Sequence, residues 1–105
     1  MSLLKSVLEE ELKRNLRNQK NYKEMLLKLP KGSIYISERN EKKYMYRKNR
    51  VGEKIVNKYI CSLSNDIKAS EERQKSDEYA RISNNLKISK KEEVKLRKAL
   101  KAYED

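Results

Sequence analysis

Apolar residues in the first part of the chain recur every four positions. Leu4, Leu8, Leu12 and Leu16 make the run, Leu3 and Val7 thicken it, and Tyr22, Met25, Leu26 and Leu29 resume it after a polar gap. This spacing predicts a long amphipathic helix over about residues 2–28. Glu9, Glu10 and Glu11 come early and Arg14, Arg17, Lys20, Lys23 and Lys28 late, an order that complements the helix dipole. Leu29-Pro30 ends the helix, because the residue before a proline is pushed out of helical geometry.

The pattern then changes period. Ile34 and Ile36 alternate with Tyr35 and Ser37, and Tyr44 and Tyr46 with Met45 and Arg47. Ile55, Asn57, Tyr59 and Cys61 alternate with Val56, Lys58 and Ile60. Polar turns, Glu38 to Lys42 and Asn49 to Glu53, separate the three runs. Period-two runs joined by short turns predict a three-stranded antiparallel meander over about residues 33–61. A lone two-stranded hairpin needs a third strand or a covering helix, and the flanking helices are expected to cover one face of the sheet.

Helical spacing returns after Ser62-Leu63-Ser64-Asn65, with Asn65 or Asp66 as cap and Ile67, Tyr79, Ile82 and Leu86 as candidate core. The stretch Lys68 to Glu78 is almost wholly polar and is expected to project into solvent. Ser89-Lys90-Lys91-Glu92 matches a capping box, which would split this region into helices of about 66–86 and 90–103. Val94, Leu96, Ala99, Leu100 and Tyr103 give the last segment an apolar face. The whole reads as a single α+β domain.

Composition narrows the possibilities. The chain has 105 residues, of which 36% are hydrophobic and 41% charged, with no Trp or Phe, so it builds one thin core. The single cysteine excludes an intrachain disulfide. No apolar run approaches the length of a signal peptide or a membrane span, so a cytoplasmic protein without a membrane partner is expected.

The net charge is +11, a field that attracts nucleic acid, anionic membranes or acidic protein surfaces, or that serves solubility alone. It is unevenly spread: residues 13–31 and 39–58 each carry +6, and the rest of the chain is close to balanced. The candidate contacts are therefore Arg39, Lys42, Lys43, Tyr44, Tyr46, Arg47, Lys48, Arg50, Lys54 and Lys58 in the sheet, with Arg14, Arg17 and Lys20 on the first helix. Arginine makes bidentate phosphate contacts and stacks on bases. Tyr44 and Tyr46 either stack on unpaired bases or pack under a helix as core, in which case Met45 and Arg47 face outward. The weight falls on the Arg47–Arg50 turn rather than on tyrosine stacking, because the basic turn serves under both arrangements. The expected partner is DNA or RNA, or the acidic, nucleic-acid-binding groove of a protein such as a nuclease. The leucine stripe is longer than a small sheet covers, so pairing with the C-terminal helices, with a second copy in a homodimer, or with a partner helix accounts for the remainder. A helical dimerisation module is the corresponding alternative function.

Catalytic chemistry has little to build on. There is no histidine, so the usual base near neutral pH is missing. Cys61 has no His or Cys to join it in a zinc site and reads as a small core residue at a strand end. Gly32 and Gly52 are isolated and make no phosphate loop. Glu71-Glu72 and Glu92-Glu93 are sequence neighbours on helices and do not face each other as acid/base pairs. No catalytic residue, metal or cofactor is expected.

One resemblance adds a setting. The order helix, Leu29-Pro30-Lys31-Gly32-Ser33, a Tyr44-x-Tyr46 strand, a Gly52 turn, Lys58-Tyr59-Ile60 and a charged helix resembles a loose group of short phage and mobile-element proteins of Gram-positive bacteria, over roughly residues 20–85. The resemblance implies a mobile-element setting and a host-directed role, of which anti-CRISPR inhibition of a nuclease is one type. It carries no site residues with it.

Overall fold

The computed structural model describes residues 3–103. Helix α1 spans Leu3–Leu27, strands β1, β2 and β3 span Ser33–Arg39, Lys42–Val51 and Lys54–Ser62, and helix α2 spans Asp66–Lys101. The strands form one antiparallel sheet in the order β1-β2-β3, the expected α+β meander. The chain divides into two compact units, one made of Leu29–Ala80 and the other of the chain up to Lys28 together with the chain from Arg81 onward. No helix among the described residues is long and apolar enough to cross a membrane.

In the sheet unit the turns are tighter than the polar stretches suggest. β1 and β2 are joined by Asn40-Glu41 alone, both at positive φ (51° and 66°), the backbone of a type I′ hairpin turn. β2 and β3 are joined by Gly52-Glu53, with positive φ at Gly52 only (64°), the pattern of a II′ turn. Gly32 has φ 113°, and a Cβ there would lie 2.5 Å from the carbonyl oxygen of Lys48, so the lead-in to β1 has room only for hydrogen.

Asn65 caps α2: its Oδ1 accepts from the Lys68 backbone N–H at 3.2 Å, three residues into the helix. The first part of α2 lays Ala69, Glu72 and Ser76 toward the sheet. Met45, Cys61 and Ala69 form the buried core here, with Ile34, Ile60 and Leu63 packed around them. The expectation that Lys68 to Glu78 projects wholly into solvent is therefore corrected. Its 3- and 4-residue spacing of small and polar residues is a packing face, and Ala69 lets the backbone approach the sheet closely.

In the other unit, α1 and the second part of α2 run in the same direction. Asn15 Nδ2 donates to the Ser89 carbonyl oxygen at 2.9 Å, and Gln19 Nε2 donates to Glu93 Oε1 at 2.8 Å, both across 74 residues of sequence. Equal offsets four residues apart define a parallel pair. The more buried residues of α1 include Leu8, Leu12, Asn15, Gln19, Tyr22 and Leu26, and those of α2 include Ile82, Leu86, Ser89, Glu93, Leu96 and Leu100. Both sets alternate steps of four and three, the a/d rhythm of a coiled coil.

Two expectations are corrected by this pair. A strict four-residue spacing advances about 40° per step around a helix of 3.6 residues per turn, so Leu4 to Leu16 wind away from any straight seam. Leu4 is 57% exposed and Leu16 39%. The polar gap is instead the centre of the seam, where Gln19 Nε2 also donates to Asn15 Oδ1 at 2.7 Å. The expected helix break at the Ser89 capping box is absent, and α2 is continuous. Neither Gly nor Pro occurs after Gly52 to force an end, and the helix gains its seam contacts by continuing past Ser89.

Candidate functional site

Register decides which side chains share a face, because successive residues of a strand point to opposite sides. Tyr35 pairs with Tyr46 across β1 and β2, and Tyr46 pairs with Tyr59 across β2 and β3. These three rings form a row across the whole sheet. Tyr35 and Tyr46 are stacked with centroids 5.4 Å apart, and Tyr59 meets Tyr46 edge-on at 5.6 Å and lies tilted to Tyr44 at 6.3 Å. Tyr35 remains 37% exposed and Tyr59 53%.

The other face carries Met45 and Arg47, both buried, under α2. Arg47 Nη2 donates to Glu72 Oε2 at 3.0 Å, and Nη1 donates to Ser76 Oγ at 3.0 Å. Burial alone would raise the Glu72 carboxyl, but hydrogen bonds and charge from Arg47 and Lys75 outweigh it and hold the group below its ordinary value. Of the two arrangements left open by the sequence, the one with Met45 and Arg47 facing outward is therefore not adopted, and Arg47 is a structural cation held by an acid.

A bulge settles the position of Tyr59. Met45 pairs with Cys61 and Tyr46 with Tyr59, so Ile60 is an extra residue in β3. Simple alternation puts Tyr59 and Cys61 on one face; the bulge sends Cys61 into the core and Tyr59 to the open side.

By the same register Arg39, Lys42, Lys48 and Arg50 stand on the tyrosine face with Tyr44 and Tyr46. All four cations are exposed, and none makes an ion pair among the described residues. No strand residue on that face is acidic, since Glu38 pairs with Lys43 on the opposite one. Arg39, Asn40, Lys42, Tyr44, Tyr46 and Tyr59 line an open cleft of about 330 Å³ at the β1–β2 end, at the small end of ligand pockets (~300–1,000 Å³).

The remaining candidates lie elsewhere. Lys43, Lys54 and Lys58 fall on the Arg47 side of the sheet and are exposed. Arg14, Arg17 and Lys20 belong to the helix-pair unit, where Arg14 Nη2 is 3.0 Å from Glu11 Oε2. Tyr35 and Tyr59 complete the site and were not among the sequence candidates; their place at the middle of period-two runs was the available signal. Among the described residues, no group of three His, Cys, Asp or Glu side chains could hold a metal ion.

Compared with family models, curated proteins and solved structures, the chain matches none.

Proposed function

We propose that this protein is a non-enzymatic nucleic-acid binder and that the tyrosine face of its sheet is the contact surface. The observation that carries this reading is the coincidence, on one uncovered face, of four tyrosines, four unpaired cations and no strand acid. Cations free of intramolecular partners give up little when they meet phosphate. Each contact also releases condensed counterions and so makes binding salt-dependent. Tyrosine rings add apolar area with a wet hydroxyl, which suits a partially exposed contact.

In a mobile-element setting the same surface would engage a host nucleic-acid–protein complex. An acidic protein groove, as in direct inhibition of a nuclease, is the competing occupant.

The test is a binding titration against nucleic acid at several salt concentrations, run beside a pull-down from lysate with and without nuclease. Affinity falling linearly in log–log with salt supports the reading, as does loss of captured material after nuclease. A protein retained undiminished after nuclease, with no affinity for free nucleic acid, overturns it in favour of the protein groove.

A further inference from the structure

We propose that the ligand is an unpaired strand whose bases stack on the tyrosine row while its phosphates lie along Arg39, Lys42, Lys48 and Arg50. This rests on the nucleic-acid reading above and narrows it to one structural class.

Three features point to it. The rings span all three strands, with Tyr35, Tyr46 and Tyr59 in register and Tyr44 beside them. A duplex offers only base edges and phosphates, because its π-faces are covered by neighbouring bases, whereas an unpaired strand offers the faces themselves.

Shape is the second feature. A major groove about 12 Å wide admits a helix or a two-stranded ribbon. Here the side chains of the central strand, which carries Lys42, Lys48 and Arg50, stand between two flanking strands about 4.8 Å away on either side. Those neighbours, with their own tyrosines, hold the centre of the face out of a groove.

The third feature is the arrangement of charge along β2. Lys42 and Arg50 lie at opposite ends of the strand, with Tyr44 and Tyr46 near one and Lys48 near the other. Eight steps at about 3.4 Å make a track of roughly 27 Å. At about 3.4 Å per stacked nucleotide this accommodates at most about eight. At the Lys42 end the cleft brings Arg39 and Lys42 to the edge of the ring cluster, so one base and its phosphate find both partners there.

The experiment compares three probes of equal length: oligothymidylate, the abasic single strand, and a duplex, each followed by fluorescence anisotropy at one salt concentration. The chain has seven tyrosines and no tryptophan, so its intrinsic emission reports ring contact without a label. Oligothymidylate is expected to bind at least ten-fold tighter than either other probe and to quench tyrosine emission, which the abasic strand leaves unchanged. Tyr59→Leu, at an exposed ring, is expected to lower oligothymidylate affinity about ten-fold, narrowing the ratio between the two single strands. Equal affinity for oligothymidylate and the abasic strand, or a duplex bound as tightly, overturns this inference while leaving the nucleic-acid reading in place. Binding to none of the three overturns both.

Discussion

Arg47 Nη2 lies 3.0 Å from Glu72 Oε2, while the side chains on either side of Arg47 in β2, Tyr46 and Lys48, point to the other face of the sheet. One strand therefore separates its basic residues: Arg47 ties the sheet to α2, and Lys48 and Arg50 stay exposed and unpaired on the other face, where the proposed reading puts the ligand. Replacing Glu72 with Ala would strand a guanidinium whose side chain is only 8% exposed. Breaking a fully buried pair costs about 3–5 kcal/mol; Glu72 keeps some contact with solvent, so a loss of about 2–3 kcal/mol is expected in chemical denaturation. Lys48→Ala and Arg50→Ala, at exposed and unpaired positions, are expected to shift stability by less than about 0.5 kcal/mol.

The same pair gives a pH dependence with a definite sign. Glu72 sits below its ordinary value of 4.5 in the folded protein. A depressed carboxyl contributes stability that is fully present above its unfolded value and is lost as pH falls through the folded one. Melting temperature is therefore expected to decline below about pH 4.5. Glu72→Gln should show a shallower decline across the same interval, measured by circular dichroism melts. An unchanged acid limb in that variant would remove Glu72 from the list of acid-sensitive groups.

Salt dependence separates the two faces of the sheet. For single strands each phosphate contact contributes about 0.7 to the slope of log K against log salt. Lys48→Ala with Arg50→Ala is expected to reduce that slope by about 1.4. Lys54→Ala with Lys58→Ala, on the other face, is expected to leave it nearly unchanged. Equal effects of the two double variants would show that binding follows net charge and not the tyrosine face.

The polar centre of the helix pair is expected to trade stability for alignment. Asn15 and Gln19 are buried, and none of their fully buried polar atoms lacks a hydrogen bond. Polar residues at a-type positions are known to fix register and partner number at a cost in stability. Asn15→Leu combined with Gln19→Leu should raise stability by about 1–2 kcal/mol through added apolar burial. It should also introduce self-association, visible in sedimentation velocity. A double variant that is less stable and strictly monomeric would mean that the polar cluster holds the pair together outright.

The lead-in to β1 and the β1–β2 turn give opposite expectations for glycine. Gly32→Ala would force a Cβ against the Lys48 carbonyl at an unfavourable φ and is expected to cost about 1–3 kcal/mol. Glu41 already holds a left-handed conformation (φ 66°) with an L side chain. Glu41→Gly relieves about 1–2 kcal/mol of that strain and gives back about 0.4–1 kcal/mol in unfolded-state entropy. A net gain of about 0.5–1 kcal/mol is expected, measured by the denaturation midpoint.

The meander was legible because period-two alternation and turn residues speak for themselves in Ile34 to Cys61. Which face the helix covers was not. Met45 and the tyrosines are both apolar enough to be buried, so hydrophobicity within β2 could not choose between its sides. The choice is made by Ala69, Glu72 and Ser76 on α2, whose polarity hid a packing face. Alternation also cannot register a bulge, and Ile60 shifts Tyr59 to the other side from Cys61. The helix seam was obscured for a related reason. Its middle layers are Asn15, Gln19, Ser89 and Glu93, and they are stabilised by hydrogen bonds that no apolar pattern reveals. Leu4 and Leu16 meanwhile drew attention to a stripe that the seam leaves largely exposed.

The parallel pairing of α1 with the end of α2 also constrains the order in which the chain can acquire its structure. Both hydrogen bonds across that pair join residues 74 positions apart, and closing so long a loop in an unfolded chain costs roughly 4 kcal/mol in entropy. The hairpins of the sheet close over two residues each. Once they have formed, with α2 started against them, most of the intervening chain is already compact and the remaining search is short. The meander is thus expected to act as the folding template, and α1 to be the last element to find its place.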